Sequence, residues 1–362
     1  MLLPAPRGAL TSALLDTLLA GADAAPETLG QLSAAGESAL AASGDLLRDD
    51  DIQLALFCLY ELHYSGLEGV DPAMEWEPEL IRLRRTLEAA FETALRNIVP
   101  VPEAPEPDAE AVAQTLFGLA AEDDGPSVSR FIARSATGDQ LREFLILRSV
   151  YQLREADPHS WAIPRLPVGR AKAALVEIQA DEYGGGRPER MHSHLFARTM
   201  AGLGLDTRYG YYLDRIPALV LASSNTMSLF GLNRRLRGSI AGHLAAFEMT
   251  SSIPNSFYAK GFRRAGFGPD VTFYFDEHVE ADAVHEQIAA RDLAGGLAEA
   301  EPELLPDILF GAAAVLTLDA LQGEFQLAAW KDNGSALRAA APAPSPAAAA
   351  LAADAAAAGV SP

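Results

Sequence analysis

His278, Asp282 and His285 are spaced by four and then three residues within PDVTFYFDEHVEADAVHEQ. On a helix turning about 100° per residue, those steps bring all three side chains to one face. The apolar FYF of 273–275 runs just before them. Such a face limits the fold to one that brings further polar partners to it, because unpaired polar groups are costly to bury. The chain offers Glu248 in AGHLAAFEMTSS, Glu182 and His192 in DEYGGGRPERMH, and Glu155 in YQLREADPH. Four carboxylates and three imidazoles on separate helices suit two iron ions better than one zinc.

The rest of the chain agrees with an all-α fold. Residues 51–98 read as two helices around a turn at Ser65–Pro72, and Leu80, Leu83, Leu87 and Phe91 form a helical stripe in the second. The Pro- and Glu-rich 99–109 ends this pair. Helices follow at 110–120, 126–156, 169–183, 189–203, 207–223, 226–252, 254–266, 269–292 and 302–330, with Asn225 as an N-cap and Pro269 in a first turn. Alternating β-branched patterns are scarce. The expected organisation is an N-terminal helical region over 1–109, a main domain over 110–330, and a disordered Ala/Pro-rich tail over 331–362.

Composition removes some function classes. Net charge is −21, so nucleic acid, which needs a basic face, is not an expected partner. The single Cys58 excludes an internal disulfide and a multi-thiolate metal site; its apolar flanks predict a buried small hydrophobe. No run reaches the roughly 18 uninterrupted apolar residues of a membrane span. The N-terminus faintly resembles a secretion signal, but Asp16 interrupts its apolar stretch and an amphipathic helix is expected. The expected location is the cytoplasm.

Each candidate ligand has a plainer alternative. The 278–285 face could be a solvated polar surface. Glu248 could pair with Arg234 or Arg237, and His243 is expected in the core or behind a ligand. Glu182 and His192 would sit roughly 80° apart on an ideal helix, but Gly184–Gly186 and Pro188 intervene, and that run read alone is a loop. Glu177, Asp181 and His194 compete with this pair, and Asp157 and His159 compete with Glu155. His194 falls on the opposite side of its helix from His192. Tyr209, Tyr211, Tyr212, Met227 and Phe230 are candidate pocket residues, or simply core. Arg234, Arg235 and Arg237 could meet an anionic substrate, or form a solvated basic face.

Taken together, DEYGGGRPERMHSHLF, Glu248 and EHVEADAVHE resemble the iron-containing redox enzymes of the haem-oxygenase-like diiron superfamily over about residues 125–330. The resemblance implies a haem-oxygenase-like helical bundle with an N-terminal helical extension. It implies that Glu155, Glu182, His192, Glu248, His278, Asp282 and His285 are the metal ligands, with no further catalytic residue. It implies two Fe ions, O2 as co-substrate, and a small organic substrate that undergoes N-oxygenation, desaturation or oxidative C–C cleavage. It leaves room for an electron donor and a homodimer.

Three other readings remain. A thiaminase-like hydrolase of the same fold would need a nucleophile, and Cys58 lies outside the matching region. A haem-degrading enzyme would need a proximal His near the start of the fold, and none lies between 64 and 158. A non-catalytic protein that binds metal or small molecules is the third.

Overall fold

The computed structural model describes residues 1–21, 26–122 and 125–339, and among these the regular structure is helical, with no strand. Four helices make the N-terminal region: α1 (Ala9–Ala20), α2 (Pro26–Ala42), α3 (Asp50–Glu61) and α4 (Pro78–Ile98). Then come α5 (Ala109–Ala121), α6 (Val128–Arg134), α7 (Gly138–Gln152), the single-turn α8 (Asp157–Ser160), α9 (Arg170–Glu182), α10 (His192–Gly202), α11 (Ala218–Leu232), α12 (Arg237–Met249), α13 (Ser252–Arg264) and α14 (Pro269–Gln287). A π-helical segment, Ile288–Gly295, leads from α14 into the short α15 (Gly296–Ala300), and α16 (Leu305–Lys331) closes the fold.

Local chemistry explains many of the boundaries. The Asp49 carboxylate accepts from the amides of Asp51 and Ile52 and starts α3. Thr137 and Gln140 cap each other reciprocally at the start of α7. Pro269 stands in the first turn of α14 as expected. In α4 the stripe of Leu80, Leu83, Leu87 and Phe91 is buried, and Cys58 is buried too.

Some expected helices are divided or moved. The stretch 126–156 breaks at 135–137, between α6 and α7. Expected helix 207–223 is a turn around Leu213–Arg215, with α11 beginning only after Pro217. Asn225 does not cap a helix; it lies inside α11, where its amide donates to the backbone and side-chain oxygens of Gln53 at 2.9 Å each. The helix expected over 226–252 is divided at Asn233–Leu236, so α11 and α12 are separate elements.

The N-terminal helices share one apolar core with the later ones, reaching from Leu10 through α11 and α12 to α16. A second apolar cluster joins α6, α7, α10, α13 and α14, with Phe144, Phe196, Phe262 and Phe275 among its buried rings. Among the described residues one helical stretch, Pro302–Lys331, is long and apolar enough to cross a membrane, and most of its apolar window is buried inside the fold. The tail does not leave the body at 331. The Ser335 hydroxyl donates to Glu143 Oε2 at 2.7 Å, the Ala336 amide donates to Glu143 Oε1, and the Arg338 guanidinium donates to Asp50 at 2.9 Å. The expectation of a disordered tail otherwise falls on residues from Ala340 onward, outside the described residues.

Candidate metal centre

The seven predicted ligands converge from five places in the chain. Glu155 stands in the turn after α7, and Glu182 is the last residue of α9. His192 opens α10, Glu248 lies near the end of α12, and α14 presents His278, Asp282 and His285. All seven are at least nine-tenths buried. The Glu182–His192 pair depends on the glycine run between them. Gly184, Gly185 and Gly186 all adopt left-handed φ, and a Cβ on Gly184 would lie 2.6 Å from the Arg190 backbone. That turn reverses the chain and brings His192 Nδ1 within 3.0 Å of Glu182 Oε2.

The side chains form two groups. Coordinating atoms of Glu155, Glu182, His192 and His278 lie within 4.8 Å of one another, and so do those of Glu182, Glu248 and His285. Glu182 belongs to both. Asp282 lines the same cavity as Glu155, Glu182, Glu248 and His278. That cavity measures about 10 Å³, room for ions or a water but not for an organic molecule.

Hydrogen bonds outside the cavity orient the imidazoles. His278 Nδ1 lies 2.7 Å from the Tyr274 carbonyl, to which it donates, so Nε2 is left toward Glu155 at 3.7 Å. His285 Nε2 lies 3.0 Å from Asp181 Oδ2, which leaves Nδ1 toward Glu248 at 3.5 Å. An imidazole donating one N–H outward keeps a lone pair pointing inward, the arrangement found behind metal-bound histidines. The Tyr274 hydroxyl donates to Glu155 at 2.9 Å.

The buried atoms fit a cation. Asp282 Oδ2 is buried without a hydrogen bond, and His192 Nδ1 and His285 Nδ1 meet carboxylate oxygens at 3.0 and 3.5 Å without well-aligned hydrogen bonds, a costly state unless something positive or donating meets them. The charges are strongly coupled. Burial works against ionised Glu182, but His192, His278 and His285 outweigh it and hold that carboxyl at about 2. Burial, aided by Asp282 and Glu182, pushes Glu248 up to about 8 despite His285. Burial disfavours charged His278 and His285, yet Glu155 holds the first at about 10, and Glu248 and Asp181 hold the second at about 9. Four carboxylates so arranged would balance two divalent cations in place of those protons.

The rival residues go elsewhere. His194 and Glu177 are exposed. His159 lines the cavity but bonds to His243 at 3.1 Å, and both are buried. Among the described residues Glu248 has no arginine partner: Arg237 pairs with Glu301, and Arg234 is exposed. Asp181, a rival ligand on spacing alone, stands behind His285, while the next residue, Glu182, is buried in the ligand groups. The candidate pocket residues do not line this cavity: Met227 and Phe230 are core, Tyr211 is exposed, and Tyr209 donates to Glu61. Cys58 is wholly buried and burial pushes its thiol up, the opposite of the accessible thiolate that a nucleophilic cysteine needs.

Residues 142–320 match the model of a family described as iron-containing redox enzymes. The matched segment belongs to that family. The chain is also 30% identical over 169 residues to a nitrosourea synthase of Streptomyces achromogenes subsp. streptozoticus; the match covers 45% of this chain and 36% of the relative. In this chain six of the predicted ligands fall into two overlapping groups, and the seventh, Asp282, lies on the cavity wall beside them.

Proposed function

We propose that this protein is a non-haem diiron enzyme that uses O2 to oxidise a small organic substrate. The observation that carries the reading is Glu182, whose carboxylate belongs to both groups of candidate ligands and can bridge two ions. Under this reading Glu155, His192 and His278 would hold one iron and Glu248 and His285 the other, with Asp282 beside them. When bound, the two irons would supply the electrons and open positions for O2 activation. With four candidate ligands in one group and three in the other, each iron would keep room for that co-substrate.

The chain's own residues supply the rest. Tyr274 and Asp181 fix the inward lone pairs of His278 and His285. Tyr151, His159, Gln179, Leu244, Phe247 and Ser251 complete the cavity wall. Gln179 donates to the Ala156 carbonyl and the Ser160 hydroxyl, 2.7 Å each, and its carbonyl oxygen is buried without a partner. This wall of mixed apolar and polar side chains would limit the entry of bulk water, and the organic substrate would meet the centre across it. The relative's name, nitrosourea synthase, favours oxidation at nitrogen among the three outcomes considered.

Anaerobic titration with Fe(II) tests the reading. Wild type should bind about two irons per chain, two being the number of ligand groups, and should then consume O2. Glu182→Ala should lose both irons, whereas His285→Ala should keep one. Undiminished iron in Glu182→Ala would overturn the shared-carboxylate arrangement.

A further inference from the structure

The turn that carries Glu155 is not held by the family-matched segment alone. Beyond Gln152 the chain leaves the α-helix, and Ala156 takes a left-handed φ of 77°, a conformation that costs a non-glycine residue and needs support from its surroundings. One support is Gln179, whose amide donates to the Ala156 carbonyl at 2.7 Å. The other is Arg154, the residue next to Glu155. Its guanidinium donates from Nη1 to Glu61 Oε2 at 3.3 Å and from Nη2 to Ser224 Oγ at 3.1 Å. It also lies over the Tyr64 ring at 4.3 Å.

Glu61 closes α3, in the N-terminal region and outside the matched residues. It is wholly buried and carries more bonds than an ion pair alone would need. The Tyr209 hydroxyl donates to the same Oε2 at 2.9 Å, and the Ser65 amide donates to Oε1 at 3.3 Å. A buried pair of this kind is weak ground for a stability argument, because apolar residues of similar volume often serve as well. Its geometry is specific, however: a planar fork tied to two different helices, α3 and α11, fixes both place and direction.

We infer that Arg154, anchored by Glu61 of the N-terminal region, is a positioning residue that sets Glu155 for its iron. The inference rests on the diiron reading above. It makes the N-terminal helices part of the metal centre's support rather than a separable extension.

The test uses the full chain and anaerobic Fe(II). Glu61→Leu combined with Arg154→Met replaces the pair with apolar volume and leaves no lone buried charge. We expect this variant to fold, to bind one Fe(II) with wild-type affinity, and to bind the other at least tenfold more weakly, matching Glu155→Ala in the Mössbauer signature of the iron that stays. Glu61→Gln, which keeps the shape and an acceptor for Tyr209, should weaken the same iron about threefold, and it decides the matter if the double variant does not fold. Two irons at wild-type affinity in a folded variant would overturn the inference, as would equal weakening of both irons, the mark of general loosening. Wild type binding fewer than two irons would instead overturn the diiron reading itself.

Discussion

At the scale of single residues, the proposed metal centre would depend on groups that never face the metal. Asp181 is mostly exposed, yet it holds His285 Nε2 at 3.0 Å. Partners behind metal-bound histidines are worth roughly ten- to a hundredfold in affinity. Asp181→Ala should therefore weaken one of the two proposed irons about tenfold in an Fe(II) titration, while His194→Ala, at an exposed position, should change neither. Equal affinities in Asp181→Ala and wild type would show that His285 is oriented by something else. His159 gives a pH signature. Burial lowers it from 6.5 to about 4, and burial beside His159 also lowers His243. Between those values the unfolded chain binds the proton and the folded one does not. His159 thus contributes stability above about pH 6.5 that is lost as pH falls through about 4, up to roughly 3 kcal/mol. Urea midpoints at pH 7 and pH 5 should differ by less in His159→Gln than in wild type. Identical pH slopes would mean that His159 is not held neutral.

At the scale of elements, α12 places Glu248, and its position is set by its crossing with α16. A Cβ on Gly242 would lie 1.8 Å from the Ile308 carbonyl oxygen, and one on Gly311 would lie 1.9 Å from the Ser239 carbonyl oxygen. The two backbones touch reciprocally, so only glycine fits at either point. Gly242→Ala must push the helices apart. It should cost about 1–3 kcal/mol in chemical denaturation and also lower affinity at the iron assigned to Glu248. A variant as stable as wild type would mean that the crossing yields without loss. The division of the expected 226–252 helix into α11 and α12 belongs to this scale too. The break at Asn233 is stabilised by its side chain, which donates to Glu88 and to the Leu229 carbonyl at 3.0 Å each. Glu88 is in α4, about 145 residues away, and local periodicity carries no trace of it.

At the scale of the whole molecule, residues 330–338 are tied back into the helical body. Glu143 of α7 is buried and receives the Trp330 indole, the Ser335 hydroxyl and the Ala336 amide. Arg338 reaches back to Asp50 in α3, and its carbonyl accepts from Arg215 at 2.8 Å. A chain ending at Ala339 should match the full protein in thermal denaturation. One ending at Asn333 should be less stable by roughly 1–3 kcal/mol, the cost of leaving buried Glu143 oxygens without donors. Equal stability of the two truncations would show that the docked residues 334–339 are dispensable, as their Ala-rich composition alone suggests.

Helical class, the buried stripe of α4 and the shared buried face of His278, Asp282 and His285 on α14 follow from the sequence by itself, because each rests on spacing along one helix. The choice of His192 over His194 follows for the same reason, since two residues further on a helix is nearly the opposite side. Tertiary structure alone decided what depends on meeting across the chain. It set Glu182 between two ligand groups, put Asp181 behind His285, and left the predicted aromatic pocket residues away from the cavity. It also tied Glu61 to Arg154 across 93 positions. The physical reason is that periodicity records which face of a helix is buried, whereas the partner on the other side of that burial is set only when helices cross.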